Sequence, residues 1–300
     1  MLNRRAAASL IAAGVLGVSA LSLSADSGYR LRVVASGLAR PTGIAVGTWQ
    51  TLYFTEVPTP GVAGGSNGVS SLDLETGEVT VLHRGEPEPL NLAVSRDDEV
   101  YWTCRTAGVI LKMTEDGDTV PVLTGLRQPT GLSIGRRGTI FFTEVPMPGV
   151  AGGSNNVSSY DGTTKTLLSG GEPEPVDVVV SRDGTLYWTC RTAGVILQRR
   201  GGKTSVLLDG LQSPTGIALD RKGGELYFTE VPTPGVAGKD GGRNRVSVLD
   251  LRRGRVRVIN AGDPEPTDIA VAPNGRVYWT CTSAGVIVEA RPRQGRFWRD

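Results

Sequence analysis

The sequence predicts an all-β protein: a six-bladed β-propeller made of three copies of a two-blade unit and closed by a strand from the N-terminus. Three observations lead to this prediction: a ten-residue motif that occurs three times, a second motif that alternates with it, and an N-terminal segment that resembles a strand missing from the last unit. The 41 glycines and 18 prolines among 300 residues agree with many short strands separated by turns.

Two motifs alternate along the chain. Thr-Glu-Val-Pro-Thr-Pro-Gly-Val-Ala-Gly occupies residues 55–64, recurs at 143–152 with one change (Met147) and recurs unchanged at 229–238. Tyr-Trp-Thr-Cys occurs at 101–104, 187–190 and 278–281. The glutamate of the first motif and the cysteine of the second hold the same position of one strand pattern. They follow one another at intervals of 40 to 51 residues, which matches the ~40–50 residues of a four-stranded propeller blade and predicts six blades.

One blade is clear strand by strand in residues 92–123. A short apolar segment at 92–94 is the predicted inner strand, and an acidic turn separates it from the second strand at 100–104. The third and fourth strands follow at 109–111 and 119–123. β-Branched and aromatic residues between Gly, Asp and Pro turns favour strands, and no segment keeps the 3.6-residue period of a helix.

The last unit lacks a fourth strand. Its second and third strands are predicted at 277–281 and 286–288, and no strand-like segment follows them. Residues 29–38 instead resemble the fourth strands of earlier blades, at 120–126 and 205–211. We therefore expect the N-terminal segment to complete the last blade, which closes the ring and removes an exposed sheet edge.

The predicted domain organisation has three parts: a signal peptide at residues 1–25, the propeller at 26–290 and a basic C-terminal tail at 291–300. The first residues are basic, residues 6–20 are apolar and small residues follow, which is the pattern of a secretory signal. The apolar run is short compared with the ~20 residues of a membrane span. We expect a secreted, extracytoplasmic protein with no membrane span after cleavage; a retained anchor is the alternative.

The strand pattern resembles known six-bladed propellers. Pro-Thr-Gly-Ile-Ala-Val at 41–46, then a turn, then Leu-Tyr-Phe-Thr-Glu at 52–56 resembles the NHL-repeat, virginiamycin B lyase and gluconolactonase/regucalcin group. Tyr-Trp-Thr also resembles the motif of YWTD propellers, with Cys where that motif has Asp. The resemblance covers residues 29–290 and implies the propeller fold. Because such a fold carries unrelated activities, the resemblance implies no single function.

The resemblance also implies functional residues that this chain lacks. Streptogramin-type lyases of the group rely on histidines over the channel, whereas this chain has one histidine, His83, near the end of a predicted outer strand. Gluconolactonase-like enzymes hold a divalent metal partly through Asn or Asp between Pro and Gly at the start of inner strands. None of the six matching residues is a carboxylate or an amide, so we expect that metal site to be absent. The six residues are Thr42, Leu90, Thr130, Val176, Thr215 and Thr267.

The loops after the second strands are the first candidate binding surface. Their glutamates are Glu56, Glu144 and Glu230. The prolines and glycines of these loops are explained by backbone geometry. The glutamates have two open interpretations: they contact a ligand at the channel mouth, or they accept hydrogen bonds from loop amides.

A second set of loops is acidic and rich in proline. These loops have the sequence Glu-Pro-Glu-Pro twice and Asp-Pro-Glu-Pro once, and the second acid of each loop is a candidate ligand-binding residue: Glu88, Glu174 and Glu265. Three such loops around one axis predict a negative field at the mouth, which favours cations. Acids that are merely solvated at the surface are the alternative.

Two residues after each final proline, a polar residue begins an inner strand. These residues are Asn91, Asp177 and Asp268, and we expect their side chains to face the channel. Carboxylate and amide oxygens are ligands for hard cations, so this trio is the candidate metal site. No motif demands a cofactor; Ca²⁺ or another divalent cation is the one that the trio could hold.

The three cysteines, Cys104, Cys190 and Cys281, hold equivalent positions, so we expect free thiols rather than a disulfide. Packing at a strand end is one interpretation, and a three-fold thiol ring that binds a soft metal is the other. Arg105 and Arg191 follow two of the cysteines and are candidate ligand-binding residues, whereas a threonine follows the third. Each arginine could equally pair with a neighbouring glutamate.

Two functions remain open. The first is an exported binding module that recognises a small-molecule or protein ligand at the acidic, loop-lined mouth of the channel. Three nearly equal sectors favour it, because catalysis needs different residues in different roles. The alternative is a divalent-metal-dependent hydrolase or lyase of the gluconolactonase or virginiamycin B lyase type, acting on a small lactone, ester or glycoside. A net charge of +2 gives no reason to expect nucleic acid as a partner, and we expect a monomer.

Overall fold

The computed structural model describes residues 28–48, 50–58, 61, 66–150, 152–232 and 244–293. The predicted signal peptide at 1–25 lies outside these residues, as do residues 294–300 of the predicted tail. All regular elements in the described part of the chain are β-strands. No helix of these residues is long and apolar enough to cross a bilayer.

The described residues form 24 strands. In chain order they are β1 (Tyr29–Ala35), β2 (Pro41–Val46), β3 (Thr51–Glu56), β4 (Gly68–Asp73), β5 (Val79–Arg84), β6 (Pro89–Val94), β7 (Val100–Cys104), β8 (Val109–Met113), β9 (Thr119–Leu123), β10 (Pro129–Ile134), β11 (Ile140–Glu144), β12 (Asn156–Tyr160), β13 (Lys165–Gly170), β14 (Pro175–Val180), β15 (Leu186–Cys190), β16 (Val195–Arg200), β17 (Lys203–Leu208), β18 (Pro214–Leu219), β19 (Glu225–Glu230), β20 (Arg245–Asp250), β21 (Arg255–Ala261), β22 (Pro266–Val271), β23 (Val277–Cys281) and β24 (Val286–Pro292).

The strands form six sheets of four strands each, which are the six blades. The first five blades each contain four consecutive strands: β2–β5, β6–β9, β10–β13, β14–β17 and β18–β21. The sixth blade has the order β22-β23-β24-β1. The innermost strands β2, β6, β10, β14, β18 and β22 contact one another in a closed ring. This arrangement confirms the six-bladed β-propeller that the repeats predict.

The sixth blade is completed by the strand from the N-terminal segment, as the sequence predicts. β1 pairs antiparallel with β24, and Arg32 lies opposite Glu289. The Arg32 Nε atom donates a hydrogen bond to Glu289 Oε2 at 3.2 Å. Tyr29 is buried in one hydrophobic cluster with Trp279 of β23. Main-chain pairing and side-chain burial therefore close the ring together.

The hydrophobic core lies between adjacent blades, where the second strands contribute their largest side chains. The even-numbered blades place a fully buried tryptophan in this strand: Trp102, Trp188 and Trp279. The odd-numbered blades place a fully buried phenylalanine there: Phe54, Phe142 and Phe228. The alternation of the two sequence motifs is therefore an alternation of core packing around the ring.

Each innermost strand is irregular near its start. In all six blades the pairing with the second strand shifts between the proline that begins the strand and the residue three positions later, as between Pro175 and Val178. An irregularity of this kind changes the direction in which side chains point. The segment concerned includes Asn91, Asp177 and Asp268, and this local backbone feature positions the candidate site.

Candidate functional site

The structure brings Asn91, Asp177 and Asp268 together on the axis of the channel. The Asn91 Nδ2 atom donates to Asp177 Oδ1 and to Asp268 Oδ2, each at 3.3 Å. The sequence predicts that these three strand-start residues face the channel, and one amide contacts both carboxylates there. We call these three residues the axial trio.

Each axial carboxylate also ties two blades together. Asp177 Oδ2 accepts the main-chain N–H of Ile217 in the fifth blade at 2.9 Å. Asp268 Oδ2 accepts the N–H of Ile44 in the first blade at 2.8 Å. In both cases the other oxygen accepts the N–H of the residue that follows the aspartate, at 2.8 Å. The carboxylates therefore satisfy main-chain donors that no strand pairs on the inner edge of the sheet.

Glycine in the neighbouring blade makes room for these side chains. A Cβ atom on Gly216 would lie 2.6 Å from Asp268 Cα, and one on Gly43 would lie 2.7 Å from Asn91 Cα. Both distances are shorter than real Cβ contacts allow. The Pro-Thr-Gly pattern of the odd-numbered blades and the Pro-x-Asp/Asn pattern of the even-numbered blades are thus two halves of one packing arrangement.

The axial carboxylates hold protons more tightly than free aspartates. Asp177 and Asp268 are each 5% exposed. Burial, followed by the charge of Asp268, raises the pKa of Asp177 well above its usual value. Burial raises the pKa of Asp268 to about 7. Burial therefore favours the protonated form of both carboxyl groups.

The axial trio offers few free ligand atoms to a divalent metal. Ca²⁺ takes about six to eight oxygen ligands, whereas the trio presents the amide nitrogen of Asn91 toward two carboxylates that already accept main-chain hydrogen bonds. In the described part of the chain, no group of three or more His, Cys, Asp or Glu side chains could hold a metal ion. A metal at the trio stays a prediction.

Two cavities reach the axial trio from opposite sides. The larger, about 430 Å³, follows the innermost strands to the far face, where Arg182 and Arg221 lie in its lining. The smaller, about 150 Å³, lies on the loop face, and we call it the mouth cavity. Its lining includes Arg105, Glu174 and Arg191 together with the trio. The trio thus separates the two ends of the channel.

The second acid of each acidic loop has the same backbone conformation. Glu88, Glu174 and Glu265 have positive φ angles of 58°, 57° and 55°. Glu88 pairs with Arg105 through two hydrogen-bonding contacts, Nε to Oε2 at 3.2 Å and Nη2 to Oε1 at 3.1 Å. Arg191 Nη1 donates to Glu174 Oε1 at 2.9 Å. The arginines after the cysteines therefore partner these glutamates, which is one of the two interpretations that the sequence leaves open.

The first acid of each acidic loop turns into the protein, although the loop sequence alone predicts an acid that faces the mouth. Glu86, Glu172 and Asp263 are buried, and each accepts the indole N–H of the tryptophan 16 residues later, at 3.2, 3.3 and 2.7 Å. A buried indole N–H requires an acceptor. In the sequence, an acid precedes each of these tryptophans by 16 residues, and this constant spacing is a pattern from which the contact could be predicted. The mouth therefore has fewer free carboxylates than the loop sequences indicate.

The cysteines lie beside these buried acids. Cys104, Cys190 and Cys281 are fully buried in three separate hydrophobic clusters, and none forms a disulfide. Burial, followed by the charge of Glu86, raises the pKa of the Cys104 thiol, and the same causes act on the other two thiols through their own acids. Separate clusters and neutral thiols favour the packing interpretation over a thiol ring.

The glutamates of the first loop set bind loop amides. Glu56 Oε1 accepts the N–H of Ala39 at 2.8 Å, and the corresponding oxygens of Glu144 and Glu230 accept equivalent amides at 2.9 and 2.8 Å. A contact with a ligand stays a prediction for these glutamates.

His83 lies on the outer strand β5, where its Nε2 atom is 2.6 Å from the carbonyl oxygen of Gly117.

Comparison with known proteins begins with sequence relatives. No family model matches the chain. Low-density lipoprotein receptor-related protein 1 of Pyricularia oryzae is 28% identical over 288 residues, which covers 81% of this chain and 89% of that protein. Low-density lipoprotein receptor-related protein 5 of Mus musculus is 31% identical over 124 residues, 38% of this chain. The aligned segment spans 7% of the length of that second relative.

Three solved structures resemble the propeller closely in shape. A streptogramin B lyase superimposes with a TM-score of 0.63 and 18% identity, covering 89% of this chain and 98% of the lyase. A gluconolactonase from Xanthomonas campestris superimposes with a TM-score of 0.68 and 19% identity, covering 88% of this chain and 89% of the gluconolactonase. The calcium-binding regucalcin from Agrobacterium tumefaciens superimposes with a TM-score of 0.68 and 15% identity, covering 90% of this chain and 96% of regucalcin. This chain has their fold. At these identities the likeness concerns the fold alone, and it confirms the resemblance that the strand motifs indicate.

Proposed function

We propose that this protein is an exported binding module whose ligand enters the mouth cavity. One observation carries the proposal: a buried acceptor beside that cavity is left without a partner. Glu174 lines the cavity and is 2% exposed, yet its Oε2 atom has no hydrogen-bond partner among the described residues. An unpaired buried polar atom costs free energy, so a ligand that donates to it would gain that free energy on binding.

The other groups around the cavity support recognition of a polar ligand. Arg105 and Arg191 lie in its lining, with side chains 30% and 40% exposed. Each guanidinium group has five N–H donors, more than its glutamate accepts. Threonine side chains and the apolar Val176 complete much of the wall. A small cavity with both donors and acceptors suits a ligand, or one side chain of a protein partner.

The names of the two sequence relatives also support a receptor-like role. Both are called low-density lipoprotein receptor-related proteins. For this chain, a secreted, monomeric propeller that binds a small molecule or a protein segment at its mouth agrees with those names. The N-terminal basic and apolar residues support export.

A blocking variant tests this function. Val176→Trp places a bulky side chain in the mouth cavity, and Val206→Trp makes the same change on the outer strand β17, where Val206 is 56% exposed. N-acetyl amino acid amides, short peptides, monosaccharides and aldonolactones are screened by thermal shift and calorimetry. Compounds that bind the parent should bind the Val206 variant and lose binding to the Val176 variant. Equal binding to both variants would exclude the mouth as the site.

The alternative function is a divalent-metal-dependent hydrolase or lyase acting on a small lactone, ester or glycoside. Two buried carboxylates with raised pKa values at the floor of a cavity favour it, because perturbed acids cluster at catalytic sites. This alternative requires a cation at the axial trio. Millimolar Ca²⁺ should then raise the melting temperature, and Asp177→Asn with Asp268→Asn should abolish the increase. If the protein hydrolyses a lactone only when Ca²⁺ is present, the enzyme becomes the better-supported function and the binding module is rejected.

A further inference from the structure

The three even-numbered blades carry one repeated backbone frame at the mouth, and we call it the glutamate frame. In each frame, the residue after the cysteine donates its main-chain N–H to the carbonyl oxygen of the second acid of the loop. The distance is 3.0 Å from Arg105 to Glu88, from Arg191 to Glu174 and from Thr282 to Glu265. With positive φ angles within 3° of one another, the three glutamates start from the same local geometry.

Two of the three frames are filled by a guanidinium group from the chain itself. In the second blade the Glu88 carboxylate and the Arg105 guanidinium form a fork-like pair, with both carboxylate oxygens engaged at 3.2 and 3.1 Å. In the fourth blade Arg191 binds Glu174 at 2.9 Å. The glutamates of these frames are 1% and 2% exposed. A carboxylate this buried is stabilised when a guanidinium supplies both charge and directed hydrogen bonds.

Among the described residues, no guanidinium group fills the third frame. Thr282 stands where the other frames have arginine, and its hydroxyl donates to the carbonyl oxygen of Pro41 at 2.6 Å, away from the acid. The Oε2 atom of Glu265 is buried and has no hydrogen-bond partner among the described residues. Glu265 also forms no ion pair with any of these residues. Glu265 as a whole residue is nevertheless partly exposed, so it lies at the surface of the loop face rather than deep in the core.

We propose that Glu265 binds the guanidinium group of an incoming arginine, which completes the third frame as Arg105 and Arg191 complete the other two. The inference rests on the proposed function, because it names the chemistry of a ligand at the mouth. The unpaired Oε2 of Glu174 adds a second acceptor on the same face. Two unpaired carboxylate oxygens on one face call for a ligand that donates hydrogen bonds and carries positive charge.

Arginine fits the frame better than lysine. The Glu88–Arg105 pair shows that a glutamate in this geometry meets two nitrogen atoms of one planar group. An ammonium group is a single point of donation and is more strongly hydrated. A ligand with a guanidinium group should therefore bind more tightly than a lysine analogue of the same charge.

Calorimetric titration with Nα-acetyl-arginine amide tests the inference, with Nα-acetyl-lysine amide as the comparison. The parent should bind one arginine probe and bind the lysine probe more weakly. Glu265→Gln, which keeps the shape of the side chain, should weaken arginine binding by at least about tenfold. Thr282→Arg should also abolish binding, because it supplies the guanidinium from within the chain. Glu99→Gln, which removes a partly exposed acid paired with Lys112, should leave arginine binding unchanged.

A gain-of-site variant makes the test independent of loss of folding. Arg105→Thr converts the second blade into a copy of the third, so the number of bound arginine probes should rise from one to two. A short peptide with a central arginine separates two sources of the group: tighter binding than the amide probe indicates a protein partner, and equal binding indicates a small molecule.

The outcomes separate this inference from the proposed function. Failure of the parent to bind the arginine probe, or equal binding by the parent and Glu265→Gln, overturns the inference. If other ligands still bind the parent and are lost in Val176→Trp, the mouth remains a binding site with a different ligand. If no ligand distinguishes Val176→Trp from Val206→Trp, the proposed function itself fails.

Discussion

Gly131 lies directly against Asp177. A Cβ atom on Gly131 would be 2.5 Å from the Cα atom of Asp177 and 2.8 Å from its Oδ1 atom. The close neighbour is main chain, which cannot move aside as the end of a flexible side chain can. Position 131 in the innermost strand of the third blade is therefore occupied by glycine, because a larger residue would collide with Asp177, whose carboxylate reaches the axis from the fourth blade.

Gly131→Ala should destabilise the protein. The added methyl group has to push two innermost strands apart, and overpacking of this kind costs about 1–3 kcal/mol. Gly224→Ala is the matched control, because no atom lies within 4 Å of a Cβ built on Gly224. Urea unfolding of both variants measures the difference. If the two variants have the same free energy of unfolding, the blades are not packed this closely.

The free energy of unfolding should fall as the pH rises from about 5 to about 7. Burial is the main cause that raises the pKa values of Asp177, Asp263 and Asp268, so these three groups bind more protons in the folded protein than in the unfolded chain in this range. The stabilising contribution of these three aspartates is fully present below the pKa of an aspartate in the unfolded chain, ~3.9. It is lost as the pH rises through the folded values, about 7 for Asp268. Urea unfolding at several pH values measures the slope, and a positive slope across the whole interval would contradict the assignment.

Asn91→Asp should make this loss of stability steeper. The change removes the NH₂ group that donates to both axial carboxylates and adds a third negative charge beside them. The variant should be much less stable than the parent at about pH 8 and should approach it at about pH 5, because a lower pH favours the protonated form of the crowded carboxyl groups. Asn274→Asp, in an exposed turn, is the control. An equal pH dependence of the two variants would mean that the trio carries little charge.

Loss of the closing strand should lower the melting temperature substantially. A chain that begins at Gly37 lacks β1, whereas a chain that begins at Gly28 keeps it. The shorter chain exposes the edge of β24 and loses the buried side chain of Tyr29, so we expect a decrease of roughly 5–10 °C or more. Calorimetric scans of the two chains give the comparison. Melting within a degree or two of each other would show that the ring does not need this strand.

The thiols should be inert in the native protein and countable after unfolding. Burial raises the pKa values of Cys104, Cys190 and Cys281, which suppresses the reactive thiolate. A thiol reagent at about pH 8 should react with none of them in the native state and with all three in denaturant without reductant. Fast native labelling would contradict the burial. A Zn²⁺-induced thermal shift that Cys→Ser changes remove would restore the thiol-ring interpretation.

The fold could be predicted because each repeat restates the same local pattern. Tyr-Trp-Thr-Cys and Leu-Tyr-Phe-Thr-Glu mark the second strand of alternate blades, and the missing last strand reappears at residues 29–35. The sequence also predicts that Asn91, Asp177 and Asp268 face the channel, because equivalent positions in a ring surround one axis. These are properties of spacing, which a sequence displays directly.

The contacts of individual acids could not be predicted in the same way. Glu86 and Glu88 are two residues apart in one loop, yet one accepts an indole N–H in the core and the other faces an arginine. Which acid turns inward depends on the positive φ angle at Glu88 and on the position of Trp102, 16 residues away. The sequence also left open whether Arg105 pairs with an acid, and only the three-dimensional arrangement decides that.

The pairing of β1 with β24 sets a condition on biosynthesis. Arg32 and its partner Glu289 are 257 residues apart in the chain, so the ribosome makes the first strand of the pair long before the second. Until β24 emerges, β1 lacks the strand with which it pairs in the finished fold, and the ring cannot close. Open edges are templates for aggregation, and slow, long-range strand pairing prolongs the exposure. An mRNA truncated before the codons of β24 should therefore yield a protein that needs chaperones to stay soluble or is degraded.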